Sequence, residues 1–372
     1  MPTQQIVAAG ILVSAFAFAL AVTALIAARR MATLGELVPY QPGPRAKSGL
    51  LEFGVAFAAL LIGQVVGLGA ASYFADSDSP GATPAIAAEL PGEPVPESAP
   101  TRVLDAPTLF GASTGALVAV LTIYVLWRFV LDRGPRALGV ENRAATFGSD
   151  VGLGFWAFLI SATPVYGLQA LLMRFFPQRH PLIDRLDSGI DPGIFAAAAF
   201  AAVIAAPLTE EIVFRGFLLS AFTHVRRGLP GPWLRTLFGD TGSPDSDQQE
   251  DAEAQAVHET PVEFRKRGGT LSEGFRRTLA HIGSFPVVAS SAIFALLHLG
   301  QGPAPIPLFL FSLLLGYLYR QTGRITPSVV AHFALNGTTI LLTGLSALDA
   351  SSERNRPADP PPAVLAIDSS VP

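Results

Sequence analysis

The sequence predicts an all-α protein, a polytopic membrane helical bundle with about eight transmembrane helices. Three observations carry this. Half of the 372 residues are hydrophobic and only 15% are charged, against about 25% charged residues in soluble domains. The mean hydropathy is +0.44. Several runs reach the roughly 20 apolar residues that cross a bilayer, so the lipid bilayer is the first partner expected. No nucleic acid partner is expected. The chain has no cysteine, which excludes disulfides, thiolate catalysis, cysteine-ligated metals and lipidation of its own thiols. The net charge of −4 matters less than where the charges sit.

The spans follow in order. Ile6 to Ala28 is the first; no cation precedes it and Arg29 and Arg30 follow it, which argues against a signal peptide and places the N-terminus outside. Leu50 to Phe74 is the second, with Gly63 and Gly67 at the G-x-x-x-G spacing of close helix packing. Asp76 to Asp105, rich in Pro, Ala and acid, reads as a poorly ordered linker. Leu109 to Leu131 and Val151 to Phe175 are the third and fourth spans, and Ile190 to Phe222 is the fifth. A polar insertion from Arg226 to about His281 passes from acidic low complexity to a basic end. Ser284 to Leu299, Pro305 to Tyr319 and Ile325 to Leu345 are the sixth to eighth. The tail after Leu348 reads as disordered. Most Lys and Arg then lie on one side, which predicts both termini outside and the 226–281 loop cytoplasmic. The organisation expected is an N-terminal membrane region (1–149), a catalytic membrane region (150–346) interrupted at 226–281, and a tail (347–372).

The fifth span contains V-I-A-A-P-L-T-E-E-I-V-F-R-G, Val203 to Gly216. A charge at mid-bilayer costs roughly 3 kcal/mol on insertion scales, so Glu210, Glu211 and Arg215 need partners or a use. Glu211 and Arg215 are four apart, in the favoured acid-first order. Glu210 points about 100° away and has no cation at helical spacing, which suits a general base. The sixth span ends in F-A-L-L-H with His298, and the eighth holds H-F-A-L-N with His332 and Asn336 on one face. A single such histidine is more often a packing residue. Depth counting at about 1.5 Å per residue brings all three polar groups to mid-bilayer, and intramembrane ionisable groups mark function by default.

In this order, E-E-x-x-x-R (Glu210, Glu211, Arg215), F-x-x-x-H (Phe294, His298) and H-x-x-x-N (His332, Asn336) resemble the three signature motifs of the CPBP family of intramembrane metalloproteases. That family includes the CAAX prenyl endopeptidases and the bacteriocin-processing and immunity proteins. The resemblance covers about Phe195 to Leu345. It implies an endopeptidase acting near the C-terminus or membrane-proximal part of a lipid-modified or membrane-associated peptide, such as a prenylated protein. Glu210 would activate water with help from His298, His332 and Asn336 would hold the oxyanion, and Glu211 would be a second essential carboxylate steadied by Arg215. The family name implies a metal. His298 and His332 with a carboxylate could hold Zn2+, while a metal-free glutamate mechanism uses the same residues. A non-catalytic immunity or adaptor protein on the same scaffold and a proton-coupled transporter are the alternatives. H-E-x-x-H is absent. Gly111 to Gly115 matches G-x-S-x-G but lies inside an apolar run, where small residues serve packing.

Overall fold

The computed structural model describes residues 3–41, 48–77, 105–130, 139, 144–176, 191–226 and 260–354. Among these the secondary structure is helical and no strand occurs. The helices are α1 (Thr3–Leu34), α2 (Leu50–Ser77), α3 (Ala106–Val130) and α4 (Ala144–Phe175). A composite helix, α5, then joins Pro192–Ala199, Phe200–Ala205, Ala206–Glu210, Glu211–Leu219 and Ser220–Arg226. After it come α6 (Pro261–Lys266), α7 (Leu271–Ile282), α8 (Phe285–Leu296), α9 (Pro305–Thr322) and α10 (Thr326–Arg354).

Sequence chemistry sets several of these ends. Asp191 caps α5, accepting from the N–H groups of Gly193 (2.7 Å) and Ile194 (3.2 Å), with Pro192 at the first helical position. Thr260 and Glu263 form a capping box on α6. α9 stops at Gly323, whose φ of 64° suits a residue without a Cβ.

Two departures from the expected spans stand out. Five helices are long and apolar enough to cross a membrane among the described residues, within α2, α3, α4, α5 and α10. The α7–α8 pair, bent by 57°, would make a sixth, so five or six such helices stand among the described residues. α9 occupies the seventh position, but it has only 18 residues and ends in Arg320, Gln321 and Thr322. The basic end of the polar insertion, where an amphipathic helix over Phe264 to Arg277 is expected, forms α6 and α7. α10 continues through the start of the expected disordered tail to Arg354. The rest of the insertion (227–259), the linker at 78–104 and the tail beyond 354 lie outside the described residues.

α2 and α3 pack as a pair through glycines. A Cβ at Gly67 would lie 2.0 Å from the Gly111 carbonyl oxygen, and one at Gly115 would lie 2.1 Å from that of Gly63. The expected G-x-x-x-G contact therefore meets a matching Gly111-x-x-x-Gly115 face. The Ser113 hydroxyl between them donates to the Leu109 carbonyl at 2.7 Å, so this segment is packing surface.

Two apolar cores fill the bundle. One gathers Trp127, Phe214, Phe217 and Phe294 from α3, α5 and α8. The other gathers Phe158, Phe311, Leu315 and Leu335 from α4, α9 and α10. The candidate residues sit where these cores adjoin.

Candidate active site

Two segments of α5, Phe200–Ala205 and Glu211–Leu219, are π-helical. Their i→i+5 bonding widens the helix, a feature frequent at functional sites. Here they flank Glu210. The wider turns leave carbonyl groups open to outside donors. Asn336 Nδ2 donates to the Ala202 carbonyl at 2.7 Å. Buried Ser48, just before α2, sets its hydroxyl 3.1 Å from the Gly216 and 2.9 Å from the Phe217 carbonyl.

The pairing expected from helical spacing is present. Arg215 Nε lies 3.1 Å from Glu211 Oε2, although neither Glu211 Oε2 nor Arg215 Nη1 completes a hydrogen bond. Arg215 also donates through Nη2 to Ser312 Oγ on α9 at 2.9 Å, and its guanidinium carbon sits 4.9 Å from the Phe294 ring centroid. Such a cation–π contact suits a desolvated arginine.

His332 on α10 joins the two carboxylates. Its Nδ1 is 2.9 Å from Glu211 Oε1 and its Nε2 is 3.7 Å from Glu210 Oε2. The rings of Phe294 and Phe311 flank it edge-on at 6.1 and 5.6 Å. Glu211, Arg215 and His332 are sealed, at 0%, 2% and 3% exposure, whereas the Glu210 side chain keeps 21%. Glu210 is therefore the less buried of the two carboxylates.

α8 ends at Leu296, a few residues before the end of the expected span at Leu299, and His298 lies in the turn beyond it. The reason lies just downstream, where Gly300, Gly302 (φ 63°) and Pro303 prevent continuation. His298 Nδ1 is 2.8 Å from the Phe294 carbonyl. A carbonyl only accepts, so Nδ1 carries the hydrogen and a neutral ring presents Nε2 as an acceptor. The imidazole packs 4.8 Å from the Phe294 ring and lies within electrostatic reach of Glu210.

The structure thus gathers Glu210, Glu211, Arg215 and His332 in direct contact. His298 joins through Phe294, and Asn336 lies one turn along α10 from His332. Ser312 and Ser48 were missed from sequence. Ser312 was detectable only as a serine in the apolar first half of α9, and Ser48 left no signal. The fit to zinc is poor. Both His332 nitrogens already face carboxylates, and no three His, Asp or Glu side chains among the described residues form a metal-holding group.

The long apolar helices define the class as an integral membrane protein, with a carboxylate–imidazole cluster inside its bundle. The model of the type II CAAX prenyl endopeptidase Rce1-like family matches residues 192–239 and 263–338. These segments hold all three motifs, and the match agrees with the family that the motifs resemble. Comparison with curated proteins and with solved structures gives no match.

Proposed function

We propose that the protein is an intramembrane endopeptidase that cleaves lipid-modified or membrane-associated peptides near their C-terminus or membrane-proximal end, using water activated by Glu210. The observation that carries this is the asymmetry of the glutamates. One is sealed and paired with Arg215, while its neighbour is partly exposed, faces His332 and lies within electrostatic reach of His298.

In this proposal Glu210 accepts a proton from water and the water oxygen attacks the scissile carbonyl. His298, with Nδ1 committed to the Phe294 carbonyl, offers Nε2 to hold that water. Asn336 keeps one amide hydrogen on Ala202 and has the second for the oxyanion. His332, held through Nδ1 by Glu211 Oε1, turns Nε2 towards the Glu210 side, from which it donates to the oxyanion. Glu211 orients the ring for that contact. The tetrahedral intermediate expels the amine as the C–N bond breaks, and protonated Glu210 returns its proton to the leaving nitrogen. A zinc ion would supply a polarised water, but every step above runs through side chains of the chain.

The test is cleavage of a reporter peptide with a prenylated cysteine near its C-terminus, by the full chain in proteoliposomes. Glu210→Gln keeps the shape and removes the base, so turnover should fall by about a hundredfold to ten-thousandfold with the folded amount unchanged. Wild-type turnover in that variant, or no cleavage of prenylated or unprenylated reporter by the wild type, would overturn the proposal.

A further inference from the structure

We propose that α6 and α7 are an in-plane docking element for an anionic lipid leaflet, with one face of α7 among the acyl chains and its basic flank at the headgroups. This does not depend on the protease proposal. At 12 residues α7 is about 18 Å long, too short for a hydrocarbon core of about 30 Å. It also carries Glu273, Arg276 and Arg277, which a crossing segment would have to bury. Its bend of 57° from α8 turns it out of that helix's direction.

Three faces of α7 meet three environments. Gly274 and Thr278 are buried against the end of α1 and the segment after it. A Cβ at Gly274 would lie 2.2 Å from the Met31 carbonyl oxygen, and Thr278 Oγ1 accepts the Leu37 N–H at 3.0 Å. Beside this face Leu271, Phe275 and Leu279 form a stripe at i, i+4 and i+8, exposed at 44%, 50% and 49%. The polar flank follows with Ser272 and Arg276, both exposed. This is the arrangement of an interfacial amphipathic helix.

What covers the stripe follows from its level and its charge. α7 docks at Met31, directly after Arg29 and Arg30. One to two turns earlier, α1 turns Leu25 and Ile26 outward, at 70% and 40% exposure. At the other end α8 begins with Phe285, 52% exposed. The stripe therefore continues the lipid-facing surface of α1 and α8 at the depth where charges begin. Residues 261–282 carry five Arg or Lys against two Glu. Glu273 pairs with Arg267 and Arg277, and Glu263 caps α6. Arg265, Lys266 and Arg276 are exposed and hold no ion pair among the described residues, a complement to anionic headgroups.

The absence of cysteine gives the test a clean background. Full-length Phe275→Cys and Arg276→Cys variants, each carrying a nitroxide, are reconstituted in phosphatidylcholine vesicles containing phosphatidylglycerol. At position 275 the label should be severalfold more accessible to oxygen and severalfold less accessible to a water-soluble nickel chelate than at 276. Replacing phosphatidylglycerol by phosphatidylcholine should move the label at 275 severalfold towards the nickel chelate. Equal nickel accessibility at both positions would place the helix in water. Protection at 275 from both agents would mean that protein covers the stripe, and an unchanged depth without anionic lipid would remove the headgroup contact. Any of these overturns the proposal. Leu279→Cys against Ala280→Cys repeats the comparison if the first pair fails to fold.

Discussion

Among the described residues two carboxylate–arginine pairs invite comparison, the part-buried Asp150 with Arg324 and the buried Glu211 with Arg215, and they differ in nearly every respect. Arg324 meets Asp150 through two parallel contacts, Nε to Oδ2 and Nη2 to Oδ1, both 2.7 Å. Its remaining nitrogen donates to Gln41 Oε1 at 2.5 Å. This fork ties α4 to the turn between α9 and α10 and to the segment after α1, and every arginine nitrogen is used. Arg215 and Glu211 lie on one helix, so their pairing ties no two elements together. It leaves Arg215 Nη1 and Glu211 Oε2 without hydrogen bonds while His332 takes the other carboxylate oxygen. A fully satisfied pair is a clasp. A partly satisfied one, held deeper and beside an imidazole, keeps charge available for something other than holding the fold.

Breaking each pair should separate these roles. Arg215→Ala leaves Glu211 buried without its cation, at a cost of roughly 3–5 kcal/mol, and disturbs His332. Thermal unfolding and turnover should both fall, and full stability would show that Glu211 does not need the arginine. Asp150→Asn should cost a similar few kcal/mol through the lost fork, read as a lower melting temperature. Turnover per folded molecule should stay near wild type, and a selective loss of turnover would collapse the distinction between the pairs. Gly67→Ala introduces a contact that only helix separation relieves, so about 1–3 kcal/mol of stability should be lost. Turnover per folded molecule should again be retained, because α2 and α3 are held without polar exchange at the site. The smallest effect concerns the exposed Glu273–Arg267 pair. The hydrogen bond from Arg267 holds the Glu273 carboxyl below its ordinary value of 4.5. Its contribution is present above about 4.5 and is lost as pH falls through the lowered value. The melting-temperature difference between wild type and Glu273→Gln should be constant near neutrality and shrink in acid, and a difference that grows in acid would reverse the assignment.

What the sequence revealed and what it hid have physical reasons. Charges in apolar helices are conspicuous, so Glu210, Glu211, Arg215, His332 and Asn336 were legible, as was the four-residue pairing of Glu211 with Arg215. The glycine contact of α2 was legible too, because only backbone approach explains small residues at that spacing. The end of α8 was readable in Gly300, Gly302 and Pro303, and the apolar run through Leu299 set it only a few residues beyond Leu296. The π-helical turns were not legible. An i→i+5 hydrogen bond leaves no mark on side-chain type, and F-A-A-V-I-A suits an ordinary helix equally well. Ser48 and Ser312 were hidden because their partners lie far away in the chain.

The π-helical turn at Phe200–Ala205 has a consequence for how this site tolerates insertions and deletions. Each i→i+5 ring encloses one residue more than an α turn. Losing a single codon within that stretch would let the segment relax to an ordinary helix. The helix on either side would keep its phase, because the deleted residue is the one that the wider ring had absorbed. Both carboxylates would stay on the face towards His332, whereas Asn336 would lose the carbonyl that the wide turn opens at Ala202. An in-frame deletion of one alanine at 201 or 202 should therefore be tolerated better than a deletion in the α-helical turn Ala206–Glu210, where nothing absorbs it and the residues beyond rotate by about 100°.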